Sequence, residues 1–129
     1  MFFVIHHARR SVLHVRVTEH PTAGWITQQL LEAFPYDAVP RYLIFDNPYV
    51  ERVIGSIRRE CLDHVVVLDE GHLRRILRSY FAYLHLSRTH LSLDKDSTEP
   101  REVEPLHRGE IVAIPEVGGL HHRYMRRAA

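Results

Sequence analysis

A continuous apolar run, RYLIF at residues 41–45, meets an aspartate and then an Asn-Pro pair. A short uninterrupted apolar segment of this kind reads as a buried strand. Asn47 suits the N-cap and Pro48 the first turn, so a helix follows at once. That helix is predicted over 47–64, NPYVERVIGSIRRECLDH. Val50, Val53, Ile54, Ile57 and Cys61 fall on one stripe of it. Glu51, Arg52, Arg58 and Arg59 project from the opposite side. A strand running directly into an amphipathic helix places the chain in the α/β class.

The flanking segments agree. Apolar, β-branched runs at 2–5 and 11–18 flank HHARR at 6–10 and predict a β-hairpin. In the second run Val12, His14 and Arg16 alternate with Leu13, Val15 and Val17, one face mixed and one apolar. A helix is predicted from His20-Pro21-Thr22 to about Phe34, with Ile26, Leu30, Ala33 and Phe34 on its core face. Gln28, Gln29 and Glu32 lie largely off that face, Trp25 is read as core, and Pro35 ends the helix. A third helix is predicted from Asp69, as N-cap, to Ser87. Leu73, Ile76, Leu77, Tyr80, Phe81 and Leu84 make its stripe. From His90 the character changes. Residues 94–105 are polar, charged and Pro-containing, and read as a linker or surface arm. Residues 110–114, the Gly118-Gly119 turn and 121–124 predict a small hairpin, and the end is basic. The division expected is 1–90 as one core and 91–129 as a C-terminal arm.

Length and charge bound the function classes. A chain of 129 residues holds one ordinary domain core. The net charge of +1 does not by itself announce a nucleic-acid binder. The basic residues are paired, however, at Arg9-Arg10, Arg58-Arg59, Arg74-Arg75 and Arg126-Arg127. Lys95 is the sole lysine, and arginine suits bidentate phosphate contacts. A GC-rich genome gives the same bias. Cys61 stands alone, so it forms no internal disulfide, in keeping with a reducing, cytoplasmic setting. No run approaches a membrane span.

Asp46 ends the apolar run and Glu51 opens the helix. Carboxylates gathered in this way bind hard cations such as Mg²⁺. At about 4 Å and an effective dielectric near 20 two such charges repel by roughly 4 kcal/mol, which a metal relieves. From spacing alone the pair carries little, because acidic residues near a helix start usually serve its cap and dipole. His6-His7 and His121-His122 read as surface histidines. Cys61 and His64 have a ligand-like spacing, but no second Cys pair completes a zinc site, so Cys61 is read as half-buried.

Four blocks raise the metal reading: HVRVTEHPTAGW (14–25), PRYLIFD (40–46), NPYVERVIGSIRRECLDH (47–64) and VGGLHHRYMRR (117–127). Together they resemble bacterial insertion-sequence transposases, the DDE integrase core group. The resemblance covers most of the chain, and the 47–64 block is its most specific part. It implies a partial RNase H-like α/β fold: a β-hairpin, a helix, a short strand, then two helices and the C-terminal arm. Asp46 matches the second acidic residue and Glu51 the third. Both are thereby expected as catalytic and metal-binding positions for Mg²⁺ or Mn²⁺, with DNA as partner. Arg52, Arg58, Arg59, Arg74 and Arg75, with Arg78, are the expected phosphate contacts. Two solvated helix faces explain the same arginines.

The departures from that pattern set the functional expectation. The family's opening strand, which carries the first catalytic Asp, is expected ahead of Phe2. No end-recognising helix-turn-helix is read within these 129 residues. The segment that separates the second Asp from the Glu is missing, since only four residues lie between Asp46 and Glu51. A direct join still keeps the pair close, because five residues span at most about 17 Å. The expectation is a truncated, internally deleted core, related to DNA integration and recombination, without strand-transfer activity. The alternative is a non-catalytic DNA-binding or subunit-interaction module that acts on a full-length transposase or self-associates. A degraded reading frame without function is the third.

Overall fold

The computed structural model describes residues 1–35, 39–45 and 48–128, leaving out the side chain of Ser92. The fold is mixed α/β, with two small antiparallel sheets and three α-helices among the described residues. The chain divides into two compact units, Met1–Gly55 and Ser56–Ala129.

In the first unit β1 (Phe2–His6) and β2 (Ser11–Arg16) form the expected hairpin. The register slips between Val4 and Ile5, which pair with His14 and Val12. Leu13 is the extra residue of this bulge. The slip changes the predicted alternation: Leu13 is exposed, while the His14 side chain turns inward. Helix α1 (Ala23–Ala33) is capped by Thr22, whose hydroxyl accepts from the Trp25 N–H. Trp25 is half-buried and meets Phe2 edge-on. Gln29, expected off the core face, is only 4% exposed. It is buried because His14 Nε2–H donates to its Oε1 at 3.0 Å, which satisfies both polar groups.

The buried strand expected at 41–45 does not form. Tyr42, Ile44 and Phe45 are 75%, 69% and 70% exposed, and residues 42–44 carry no regular structure. A central strand needs a neighbour on each side, and among the described residues of this unit the only sheet is the β1–β2 pair. The run instead lines an open cleft of about 740 Å³, together with residues of β1 and α1. Asp46 and the proposed cap Asn47 lie outside the described residues.

Helix α2 (Pro48–Glu60) starts at the expected proline, but ends earlier than predicted. A 3₁₀ turn, Leu62–His64, follows it. Helix α3 (Glu70–Leu86) has the predicted cap, with Asp69 Oδ1 accepting from the His72 N–H at 2.7 Å. Strands β3 (Glu110–Glu116) and β4 (His121–Arg127) pair along seven residues each.

Within the second unit the core comprises Ile57, Cys61, Leu77, Tyr80, Phe81, Leu84 and Val117. Cys61 is fully buried rather than half-buried: it stands at the junction of α2 and the 3₁₀ turn, among the core residues of this unit. The segment read as a linker or arm is partly internal. Ser97 and Thr98 are buried, and the Glu99 N–H donates to the His85 carbonyl at 2.9 Å. At the start of β3, Gly109 has φ +118°, and a Cβ there would sit 2.2 Å from the Arg127 carbonyl oxygen. Only glycine fits.

Candidate functional site

The first turn of α2 holds Tyr49, Glu51 and Arg52. The proline sets φ for this turn, and the early Glu51 complements the positive end of the helix. Glu51 and Arg52 are exposed and Tyr49 is half-buried. Tyr49 organises the surroundings. The Arg10 guanidinium lies 4.9 Å from its ring centroid, the Arg52 guanidinium 5.7 Å, and the His7 ring meets it edge-on at 4.9 Å. Arg10 reaches it from the hairpin turn, where its φ is +56°. The contacts at this turn thus centre on Tyr49 and are cationic and aromatic.

That setting bears on the metal expectation. A divalent ion of the expected kind needs several oxygen ligands. Among the described residues no three His, Cys, Asp or Glu side chains gather as metal ligands. Glu51 offers a single carboxylate, and two arginines converge on the tyrosine two positions before it. The described donor set therefore does not by itself compose a two-metal centre. Asp46 would be the second carboxylate, and it lies outside the described residues.

The expected phosphate contacts divide into two kinds. Arg52, Arg58, Arg59, Arg74, Arg75 and Arg78 are all exposed. Arg74 is engaged with Glu70 at 2.5 Å, an i,i+4 pair on α3. Arg58, Arg59, Arg75 and Arg78 make no ion pair among the described residues. They stand ready for an external anion, as any solvated helix face does.

The strongest electrostatic constellation lies away from the residues that the sequence motifs single out. Glu60 ends α2, and its carboxylate takes both Arg88 Nη2 at 2.6 Å and Arg88 Nε at 2.9 Å. Tyr80 O–H donates to the same carboxylate at 2.9 Å. The His121 Nε2–H donates to the Glu60 carbonyl at 2.7 Å, and the His121 ring stacks on Tyr83 at 4.3 Å. Burial raises the Glu60 carboxyl, but hydrogen bonds from Arg88 and Tyr80, with the Arg88 charge, outweigh it and hold the group below its ordinary value. Burial and the adjoining Glu60 push the Tyr80 phenol upward. Burial lowers His85 and raises the Cys61 thiol.

Shifted groups often mark active sites, but structural ion-pair networks shift them too. Here three donors engage the carboxylate, and a structural ion-pair network accounts for its shift. The constellation is a clamp between α2, α3 and β4. Glu60 and Arg88 are 28 positions apart, and no local pattern announces such a pair.

Set against protein-family models, curated proteins and solved structures, the chain matches none. No helix among the described residues is long and apolar enough to cross a membrane.

Proposed function

We propose that this chain is a remnant of an insertion-sequence transposase core, RNase H-like by descent, that does not perform DNA strand transfer. The 47–64 block carries the reading. Its described part folds as helix α2 and a following 3₁₀ turn, and the first turn of α2 presents an exposed Glu51 that solvent and ions can reach. Loss of activity rests on spacing. With four residues between Asp46 and Glu51, no helix and strand fit between them. The described residues add no second carboxylate at this turn, where Arg10, Arg52 and His7 contact the Tyr49 ring. The test is a strand-transfer assay with Mg²⁺ or Mn²⁺ on oligonucleotide substrates. No product is expected. Product that disappears in Glu51→Gln would overturn the proposal.

A second reading draws on the same descent: a DNA-binding or subunit-interaction module that acts on a full-length transposase. The unpaired exposed arginines of α2 and α3 favour it. DNA affinity should then fall steeply with salt, and each phosphate-contacting arginine removed should lower the slope by about one. Affinity insensitive to salt refutes the DNA branch. Co-purification with a full-length transposase tests the other.

A further inference from the structure

Within the second unit, an open cleft of about 400 Å³ lies between the end of α3 and β4. Three arginines, Arg88, Arg101 and Arg123, line it, and among the described residues no Asp or Glu does. Arg88 is matched by Glu60. Arg101 and Arg123 make no ion pair among the described residues. Arg123 is half-buried, and its Nε is sealed from water with no hydrogen-bond partner. The Ser87 hydroxyl, also on the cleft lining, is in the same condition. A cation drawn partly out of water without a counter-charge is destabilising, and so is an unsatisfied hydroxyl.

The carboxylates nearby do not meet this demand. Asp94, Asp96, Glu102 and Glu104 line an adjoining cleft with Arg101 and Arg123, yet none forms an ion pair with them among the described residues. Glu104 instead accepts from the Arg126 backbone N–H. Glu116 lies one pairing step along the hairpin face from Arg123, and its Oε2 has no partner either.

We infer that this cleft binds a phosphate-type oxyanion held by Arg101 and Arg123, with the Ser87 hydroxyl as a further donor. Guanidinium forks match the oxygens of such an anion in pairs. Entry of the anion supplies the counter-charge that Arg123 lacks, with a rotation of its side chain. The phosphate belongs either to a nucleic-acid backbone or to a free phosphate or nucleotide. The site stands whatever the ancestry of the chain.

Calorimetric titration of the full chain with inorganic phosphate, with AMP and with a short single-stranded oligonucleotide tests this. At least one of the three should bind saturably, one to one. Arg123→Gln and Arg101→Gln should each weaken that binding about tenfold or more, roughly the worth of one charge-assisted contact. Arg101 is exposed, so its variant folds normally even if Arg123→Gln does not. Arg127→Gln removes an equal charge from β4 outside the cleft and should change affinity less than about twofold. Oligonucleotide binding that phosphate displaces, or that occurs without phosphate or AMP binding, assigns a backbone phosphate. Phosphate or AMP binding without competition assigns a free anion. No saturable binding by any of the three, or equal weakening by Arg127→Gln, overturns the inference.

Discussion

Replacing Glu60 by Gln keeps the shape of the clamp and deletes its charge. The carboxylate receives two hydrogen bonds from Arg88 and one from Tyr80. Gln has one oxygen to offer in place of two, and Arg88 is left half-buried without its counter-ion. Breaking a fully buried pair costs about 3–5 kcal/mol. Both side chains here are 26% exposed, and water screens the orphaned charge in part. The expected loss is therefore about 2–3 kcal/mol, or a fall in Tm of roughly 10–20 °C for a unit of this size. Urea unfolding of Glu60→Gln, Arg88→Met and the double variant reads the effect. Because the double variant leaves no uncompensated charge, it should be less destabilised than the sum of the singles, with a coupling of about 1.5 kcal/mol or more. A single-variant loss under about 0.5 kcal/mol, or a coupling near zero, would refute the view that Glu60 and Arg88 act as one unit.

Acid should act through the same clamp. Glu60 sits below its ordinary value in the folded chain, so its stabilisation is complete above about pH 4.3 and vanishes as pH falls through the folded value. His85 is also lowered, by burial, so its contribution is present above about pH 6.5 and is lost as pH drops below that. Melting temperature should thus decline in two steps on acidification, and the upper step should disappear in His85→Gln. Gly109→Ala should destabilise by about 2–4 kcal/mol in urea titration, because its Cβ meets the Arg127 carbonyl at a φ that alanine resists. Cys61 should react with a thiol reagent far more slowly than free cysteine, and at the ordinary rate only in denaturant, since it is buried with its thiol pushed upward.

Local signals carried most of the element map. Asp69 is a cap residue followed by a helical stripe, and its helix starts where that cap places it; the helix read from His20-Pro21-Thr22 starts at Ala23, with Thr22 as its cap. The hairpins were legible from β-branched runs and from Gly118-Gly119. What escaped depends on partners remote in sequence. The 41–45 run has strand composition, but composition supplies no neighbouring strand, and without one the segment stays exposed. Gln29 looked solvent-facing until His14 came to meet it, by way of a bulge no pattern forecast. At the candidate site, Glu51 was legible as an acidic first-turn residue. The cations on the neighbouring Tyr49 were not, since Arg10 arrives from a turn about forty positions earlier. The Glu60 clamp and the arginine cleft are likewise products of tertiary proximity alone.

The exposed run at 42–45 has a consequence for how the chain behaves in bulk. Tyr-Leu-Ile-Phe combines high β-propensity with no charge and no proline, the composition that seeds intermolecular cross-β stacking. Arg41 and Asp46 flank it, one charge at each end, as gatekeepers do beside adhesive segments. The colloidal lifetime of the protein is then governed by these two flanking charges rather than by the strength of either core. A single Ile44→Lys change should raise its solubility limit while leaving its melting behaviour untouched.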